Sequence, residues 1–131
     1  MKSVIFRRTG FAVAVFSFIL TLAGYQGALA ADRYAAIAYS PSTGAYGSSY
    51  DYPSRAAAEQ KAFQTCARSG ARDCRIAVWV RNGCAALAVG SGGGYGAGTG
   101  SNKGAAQNQA IGICSRYTRN CGIKTWTCTG R

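Results

Sequence analysis

The sequence contains no histidine and very few acidic residues. Four Asp and Glu stand against 15 Lys and Arg in 131 residues, so the formal net charge is +11. The lack of histidine excludes Ser-His-Asp and Cys-His catalytic sites and imidazole metal sites. Four scattered carboxylates leave little for acid–base catalysis. We therefore expect a non-enzymatic protein without a catalytic residue, cofactor or metal.

The sequence also lacks an apolar run long enough to span a bilayer. The uncharged run from Gly10 to Gly24 has about 15 residues, whereas a spanning helix needs roughly 20. Lys2, Arg7 and Arg8 precede this run, and the small residues of 28–30 follow it. This layout predicts a secretory signal peptide over residues 1–30, cleaved after Ala30, rather than a retained anchor. We expect a secreted or periplasmic protein with no stable membrane anchor.

The remaining segment, 31–131, is predicted to be a single mature domain. It keeps all six cysteines, and loss of three basic residues leaves a net charge of +8. An even number of cysteines in an exported chain predicts disulfides. Catalytic thiol and zinc sites are disfavoured because the sequence has no Cys-x-x-Cys pair and no histidine. An apolar fraction of 48% is ordinary for a folded domain.

The mature segment contains two similar halves, with boundaries at about 34–82 and 83–131. They align at an offset of about 47 to 50 residues: Ala35–Tyr39 matches 85–89, and residues 54–63 match 102–111. Cys66, Cys74 and Trp79 match Cys114, Cys121 and Trp126. Each half is predicted to be one supersecondary unit that cannot bury its apolar face alone.

Each unit is predicted to run strand, strand, helix, strand. In the first unit the strands are 34–39, about 45–50 and 74–81, with turn residues at 41–44. Ser54 is a favourable N-cap for an Ala-rich helix over 55–68, which Gly70 ends. The predicted fold is therefore a small disulfide-stapled α+β domain. Its two strand-strand-helix-strand pseudo-repeats form an antiparallel or mixed sheet with two helices on one face.

The two halves also predict the disulfide pairing. Cys66 and Cys74 lie between a helix end and the next strand, and Cys114 and Cys121 occupy the matching positions. Two local bridges, Cys66–Cys74 and Cys114–Cys121, leave Cys84 and Cys128 for a third. Because that bridge closes the longest loop, Cys84→Ser is expected to cost more stability than Cys66→Ser.

Strand alternation divides the side chains between two faces. Residues expected beneath the helices are Ile76, Val78, Val80, Leu87, Val89 and Ile123. The opposite face is expected to mix aromatic and basic side chains around a disulfide: Tyr34, Arg75, Trp79, Arg81, Cys84, Lys124, Trp126 and Cys128.

The segment from Tyr34 to Arg131 resembles a bacterial secreted family known as domain of unknown function 4189. The resemblance is carried by the strand 34–39, the helix that ends in Cys66, and 74–80 with Trp79. In the second half it is carried by Cys114, Cys121 and Trp126. It covers essentially the whole mature chain. It implies export, disulfides and a small β-rich domain, and it implies no reaction.

Two patterns are typical of enzymes, but neither is complete in this sequence. The glycine-rich run 90–100 lacks the Gly-Lys-Ser/Thr ending of a phosphate loop, so a hairpin that links strands is favoured. Two of the three carboxylates Asp51, Glu59 and Asp73 would be needed for a hydrolase acid–base pair. We interpret them instead as surface charges, with Asp73 paired to neighbouring arginines.

The basic residues cluster in the two helix-to-strand loops. Arg68, Arg72 and Arg75 surround the first small disulfide loop, and Arg116 and Arg119 lie in the second. If the units pack side by side, these five form one basic surface, with Trp79 and Trp126 nearby for stacking. Export argues against nucleic acid, so an anionic envelope polymer, a host partner or an acidic protein is expected. Charge for solubility alone, an inhibitor of an acidic periplasmic enzyme and a small hydrolase remain alternatives.

Overall fold

The computed structural model describes residues 30–130. The first unit contains β1 (Tyr34–Tyr39), β2 (Tyr46–Tyr52), α1 (Arg55–Ala67) and β3 (Arg75–Arg81). The second contains β4 (Cys84–Val89), β5 (Tyr95–Gly100), α2 (Lys103–Tyr117) and β6 (Gly122–Cys128), with a short 3-10 turn at Ser91–Gly93. Of the predicted signal peptide, residues 1–29 lie outside the described part of the chain. No helix within 30–130 is long and apolar enough to cross a bilayer.

The predicted α+β class is confirmed, and so is the order of elements. The strands, however, form two antiparallel three-stranded sheets rather than one, with orders β2-β1-β3 and β5-β4-β6. Each sheet carries its own helix, because α1 packs on β1 and β2 and α2 packs on β4 and β5. The layers are helix, sheet, sheet, helix, so the two helices lie on opposite outer faces.

The central strands β1 and β4 explain this layering. Residues 35–39 and 84–88 are all buried, so both faces of each central strand are covered. In β1, Ala35, Ile37 and Tyr39 face the second sheet, whereas Ala36 and Ala38 face α1. Small residues on the helix side let each helix lie close to its sheet. Larger residues fill the space between the sheets.

The predicted assignment of faces is wrong for most of the residues placed beneath the helices. Val78, Val80, Leu87 and Val89 pack between the sheets, and Trp79 lies on the helix side. Ile76 and Ile123 do face the helices, because β3 and β6 each contain a bulge that shifts the alternation. The prediction failed because it assumed unbroken strands and only one packed face.

The predicted N-cap at the start of α1 is confirmed, and α2 has a corresponding one. The Ser54 side chain accepts a hydrogen bond from the amide of Ala57, at 3.2 Å. Asn102 does the same for Ala105 in α2, at 2.9 Å. These N-caps satisfy amides that have no partner within the helix. Helix α1 ends at Ala67, three residues before Gly70, which has a positive φ of 90°.

The three disulfides are the predicted ones: Cys66–Cys74, Cys114–Cys121 and Cys84–Cys128. Each joins two cysteines of the same unit. The units meet at the turn Asn82–Gly83. Both ends of the described chain lie beside this turn. The Arg33 amide donates to Asn82 Oδ1 at 2.9 Å, and the Thr129 amide donates to the Gly83 carbonyl at 2.8 Å.

Candidate anionic-partner surface

The two helix-to-strand loops lie at the same end of the molecule. The strands β1 and β4 both end there, and the Tyr39 and Tyr95 rings pack edge to face with centroids 5.0 Å apart. The Tyr39 hydroxyl donates to the Gly93 carbonyl at 3.4 Å. These contacts join the turn after β1 to the turn after β4. Each of these two turns also forms hydrogen bonds with the disulfide loop of its own unit.

Asp73 ties the first loop to the turn after β1. Its carboxylate accepts hydrogen bonds from the Ser40 hydroxyl and from the Ser42 amide, the latter at 3.0 Å. Ser40 is fully buried, and its Oγ also accepts from the Thr43 hydroxyl at 2.8 Å. The hydrogen bond from the Ser40 side chain is the main cause that lowers the pKa of Asp73 from 3.8 to about 2. Asp73 therefore stays ionised and fixes the loop.

In the second unit, Ser91 connects the turn after β4 to the second loop. Its amide donates to the Arg119 carbonyl at 2.9 Å, and its carbonyl accepts from the Thr118 hydroxyl at 2.7 Å. Asn120, which matches Asp73 in the alignment of the halves, donates from its side chain to Ser91 Oγ at 3.2 Å. An uncharged residue thus replaces the carboxylate. The second loop carries no acidic residue.

We name the five arginines of these loops, Arg68, Arg72, Arg75, Arg116 and Arg119, the basic end. All five are exposed. The ion pairs within residues 30–130 are Arg55–Glu59 and Arg81–Asp32, and neither involves the basic end. The expected pairing of Asp73 with its neighbouring arginines is wrong, because Ser40 and Ser42 occupy its oxygens. None of the five arginines therefore forms an ion pair within residues 30–130, and at this end their charges are opposed only by the ionised Asp73.

The two tryptophans do not lie beside the basic end. The guanidinium of Arg55, the first residue of α1, lies 4.2 Å from the centre of the Trp79 ring. The ammonium of Lys103, the first residue of α2, lies 4.2 Å from the Trp126 ring. A helix of this length separates Trp79 from Arg68 by roughly 20 Å. The expectation that these rings lie near the arginines is therefore wrong, and each ring stacks with a cation of its own unit.

Comparisons with known proteins give the family of this chain. A family model described as a domain of unknown function (DUF4189) matches residues 34–128. The chain belongs to this family.

Relatives of this DUF4189 chain occur in mycobacteria. Protein Rv1269c of Mycobacterium tuberculosis and Protein Mb1300c of Mycobacterium bovis are each 40% identical to it over 101 residues. The match spans 76% of this chain and 72% of theirs. The NMR structure of Rv1813c from Mycobacterium tuberculosis is similar, with a TM-score of 0.54, 28% identity and 98% of both chains covered.

The three carboxylates from which a hydrolase pair would have to come lie in separate places in this DUF4189 domain. Asp51 accepts from the Gly130 amide at 2.5 Å, Glu59 pairs with Arg55 at 2.6 Å, and Asp73 holds the first loop. Residues 30–130 contain no group of three or more Asp, Glu or Cys that could hold a metal, and all six cysteines are in disulfides. No pair of these carboxylates shares a site.

The structure also reveals a groove that the sequence did not predict. It has a volume of about 630 Å³ and runs along β5 between Ala77 of β3 and Ile113 and Tyr117 of α2. The glycine-rich turn 92–94 closes one end. Tyr117 is 74% exposed, so its ring forms an open wall of the groove. The glycine run was predicted as a hairpin connection, but residues 95–100 form a regular strand.

Proposed function

We propose that the mature domain is an exported, non-enzymatic binding domain that contacts an anionic partner through the basic end. The observation that carries this proposal is the placement of two arginine-bearing loops at one end, with no arginine of the five in an ion pair within 30–130. The partner is an acidic polymer of the envelope or an acidic protein surface, because such a partner presents several negative charges to several guanidinium groups.

Charge distribution supports this assignment. Of the four acidic residues, only Asp73 lies at the basic end, and its oxygens already accept hydrogen bonds from serines. The remaining three lie on other parts of the fold. The basic end therefore produces a concentrated positive field, which raises association rates with acidic partners and weakens as salt screens it.

Export is part of the proposal. Three disulfides within one small domain indicate an oxidising compartment. The predicted signal peptide over residues 1–30 supplies the route to that compartment. In the oxidised protein both loops of the basic end are closed by a disulfide, so their arginines are presented from constrained segments.

The test reverses charge in both loops. Arg72→Glu together with Arg119→Glu should weaken binding to fluorescein-labelled poly-L-glutamate at least about tenfold, measured by fluorescence anisotropy at low salt. Both residues are exposed and unpaired, so the melting temperature should remain nearly unchanged. Binding by the unmodified protein should fall steeply as salt is raised.

The matched control carries the same change of charge at the opposite end. Arg33 and Lys103 line a cavity of about 620 Å³ beside the turn Asn82–Gly83, away from both loops. Arg33→Glu with Lys103→Glu should retain most of the binding. If the two double variants lose binding equally, net charge rather than the basic end attracts the probe, and the proposal is wrong.

A further inference from the structure

The four outer strands protect their edges differently. An exposed strand edge offers unpaired amide and carbonyl groups, and proteins usually blunt it with bulges or charged residues. Strands β2, β3 and β6 each contain a shift of register, and each carries a charged residue: Asp51 in β2, Arg75 and Arg81 in β3, Lys124 in β6. Strand β5 pairs with β4 without any shift and has the sequence YGAGTG. Of the four, β5 alone is both regular and uncharged.

Hydrogen bonds at both ends of β5 show which of its groups point outward. The Gly90 amide donates to the Gly94 carbonyl at 2.8 Å, which makes the even-numbered residues of β5 the ones that bond to β4. The Thr99 amide points the other way, because it donates to Oε1 of Gln109 at 2.6 Å. Tyr95 and Ala97 therefore turn their amide and carbonyl groups to the outer edge. No side chain within 30–130 hydrogen-bonds to these groups.

The open edge coincides with the groove beside β5. Tyr95 and Ala97 line it, and Ile113 and Tyr117 of α2 form an apolar wall. The even-numbered residues of β5 are glycines and face α2, so β5 presents no side chain on that face. At the far end of the edge, the Gln109 side chain accepts a hydrogen bond from the Thr99 amide, so this amide is not available to a partner. In the last turn of α2, Arg116 of the basic end directly precedes Tyr117 of this wall.

We propose that β5 accepts an extended acidic peptide segment as a fourth strand of the second sheet. Amide and carbonyl groups of Tyr95 and Ala97 supply the main-chain hydrogen bonds, and the apolar wall receives every second side chain. The choice of an acidic partner rests on the proposed function. No acidic residue lines the groove, and the exposed Arg116 of the basic end directly precedes its lining residue Tyr117 in α2. A second copy of this basic chain would bring no surplus of negative charge.

The test uses a fluorescent peptide of alternating Glu and Val, about eight residues long, and two N-methylated versions of it. One version carries methyl groups on every Glu nitrogen and the other on every Val nitrogen. In an added strand only one peptide edge faces β5. One version should therefore lose binding at least tenfold while the other binds like the parent peptide. Equal binding of all three peptides overturns the proposal.

A pair of proline variants tests the same edge from the protein side. Ala97→Pro removes an outward amide and no bond to β4, so the sheet should persist while peptide affinity falls at least tenfold. Ser48→Pro is the matched control, since Ser48 pairs with Ile37 as Ala97 pairs with Leu87. It should leave peptide binding unchanged. Should Ala97→Pro fail to fold, the N-methylated peptides still decide the matter with the unmodified protein.

The outcomes separate this inference from the proposed function. If Arg72→Glu with Arg119→Glu weakens all three peptides equally, the basic end binds acidic chains and strand addition is wrong. If the double variant has no effect but one N-methylated peptide loses binding, strand addition holds and the proposed function is wrong. Concentration-dependent dimerisation that Ala97→Pro abolishes, without peptide binding, would mean that a second copy occupies the edge and would overturn the acidic peptide.

Discussion

Asp73 couples the stability of the fold to pH. Its hydrogen bonds from Ser40 and Ser42 exist with the ionised carboxylate and lower its folded pKa to about 2 from 3.8. A depressed folded pKa adds stability above the unfolded pKa, and that stability is lost as the pH falls toward 2. We predict that the free energy of unfolding of the unmodified protein decreases between about pH 4 and pH 2, as measured by denaturant titration.

Asp73→Asn places in the first loop the amide that Asn120 supplies in the second. The variant should be less stable at neutral pH, and its free energy of unfolding should change less between about pH 4 and pH 2. Glu59→Gln is the control, because it removes a carboxylate whose partner is the exposed Arg55. An acid-dependent loss as large in Asp73→Asn as in the unmodified protein would contradict the role assigned to Asp73.

Gly96 allows α2 to approach β5. A Cβ atom at this position would collide with the backbone nitrogen of Cys114 and with the carbonyl of Ala110. Because backbone cannot yield as a side chain can, Gly96→Ala should destabilise the protein by about 1–3 kcal/mol. Gly112, within α2, is exposed and has no neighbour within 4 Å of such an atom. Gly112→Ala should instead stabilise by about 0.5–1 kcal/mol. Thermal denaturation of both variants compares them directly.

Single residues differ in how far the sequence predicts their roles. Ser54 is predictable as an N-cap because its partner, Ala57, lies three residues away. The bonds of Asp73 to Ser40 and Ser42 are not predictable, since more than 30 residues separate the partners. The sequence favours nearby arginines as partners, but local carboxylate–arginine pairs on a surface gain little. The tertiary contact between the first loop and the turn after β1 determines the partners of Asp73 instead.

At the level of elements, the disulfides differ in the loops that they close. Cys84–Cys128 joins the paired strands β4 and β6 across 44 residues, whereas Cys66–Cys74 spans 8. Loop entropy assigns them about 4 and about 2.6 kcal/mol respectively. Replacing Cys84 and Cys128 by Ser should therefore lower the free energy of unfolding more than replacing Cys66 and Cys74, by about 1.4 kcal/mol.

Chemical denaturation of the two double-serine variants under identical conditions measures this difference. Replacing both partners avoids a free thiol that could form new disulfides. Equal losses, or a larger loss for the Cys66–Cys74 pair, would show that the geometry of the helix end matters more than the length of the closed loop.

The elements themselves are largely predictable, but their faces are not. Strand β1 occupies the predicted residues 34–39, and β2 and β3 begin one residue later than expected. Alternation then fails in β3, because the extra residue Ala77 places Ile76 and Val78 on opposite faces. A bulge is a property of the pairing between strands, and a single strand sequence of apolar residues does not reveal it.

For the whole molecule, similarity between the halves predicts the side-by-side placement of the loops. Two similar units that pack through the same faces bring corresponding ends together. Here the contact between the Tyr39 and Tyr95 rings joins these ends. The same reasoning did not place Trp79 or Trp126, because it put them on the face opposite the helices. The groove along β5 escaped prediction because Ala77, Tyr95 and Tyr117 come from three elements that only the layered packing assembles.

The turn Asn82–Gly83 joins the two units of the domain through the peptide backbone alone. No disulfide crosses it, because every cysteine pairs within its own unit. A proteolytic cut at this turn would thus leave two polypeptides joined only through the apolar layer between the sheets and contacts such as Thr127 to Ser49. The nicked protein would behave as a heterodimer of its own halves, whose folded fraction rises with concentration even when every disulfide is intact.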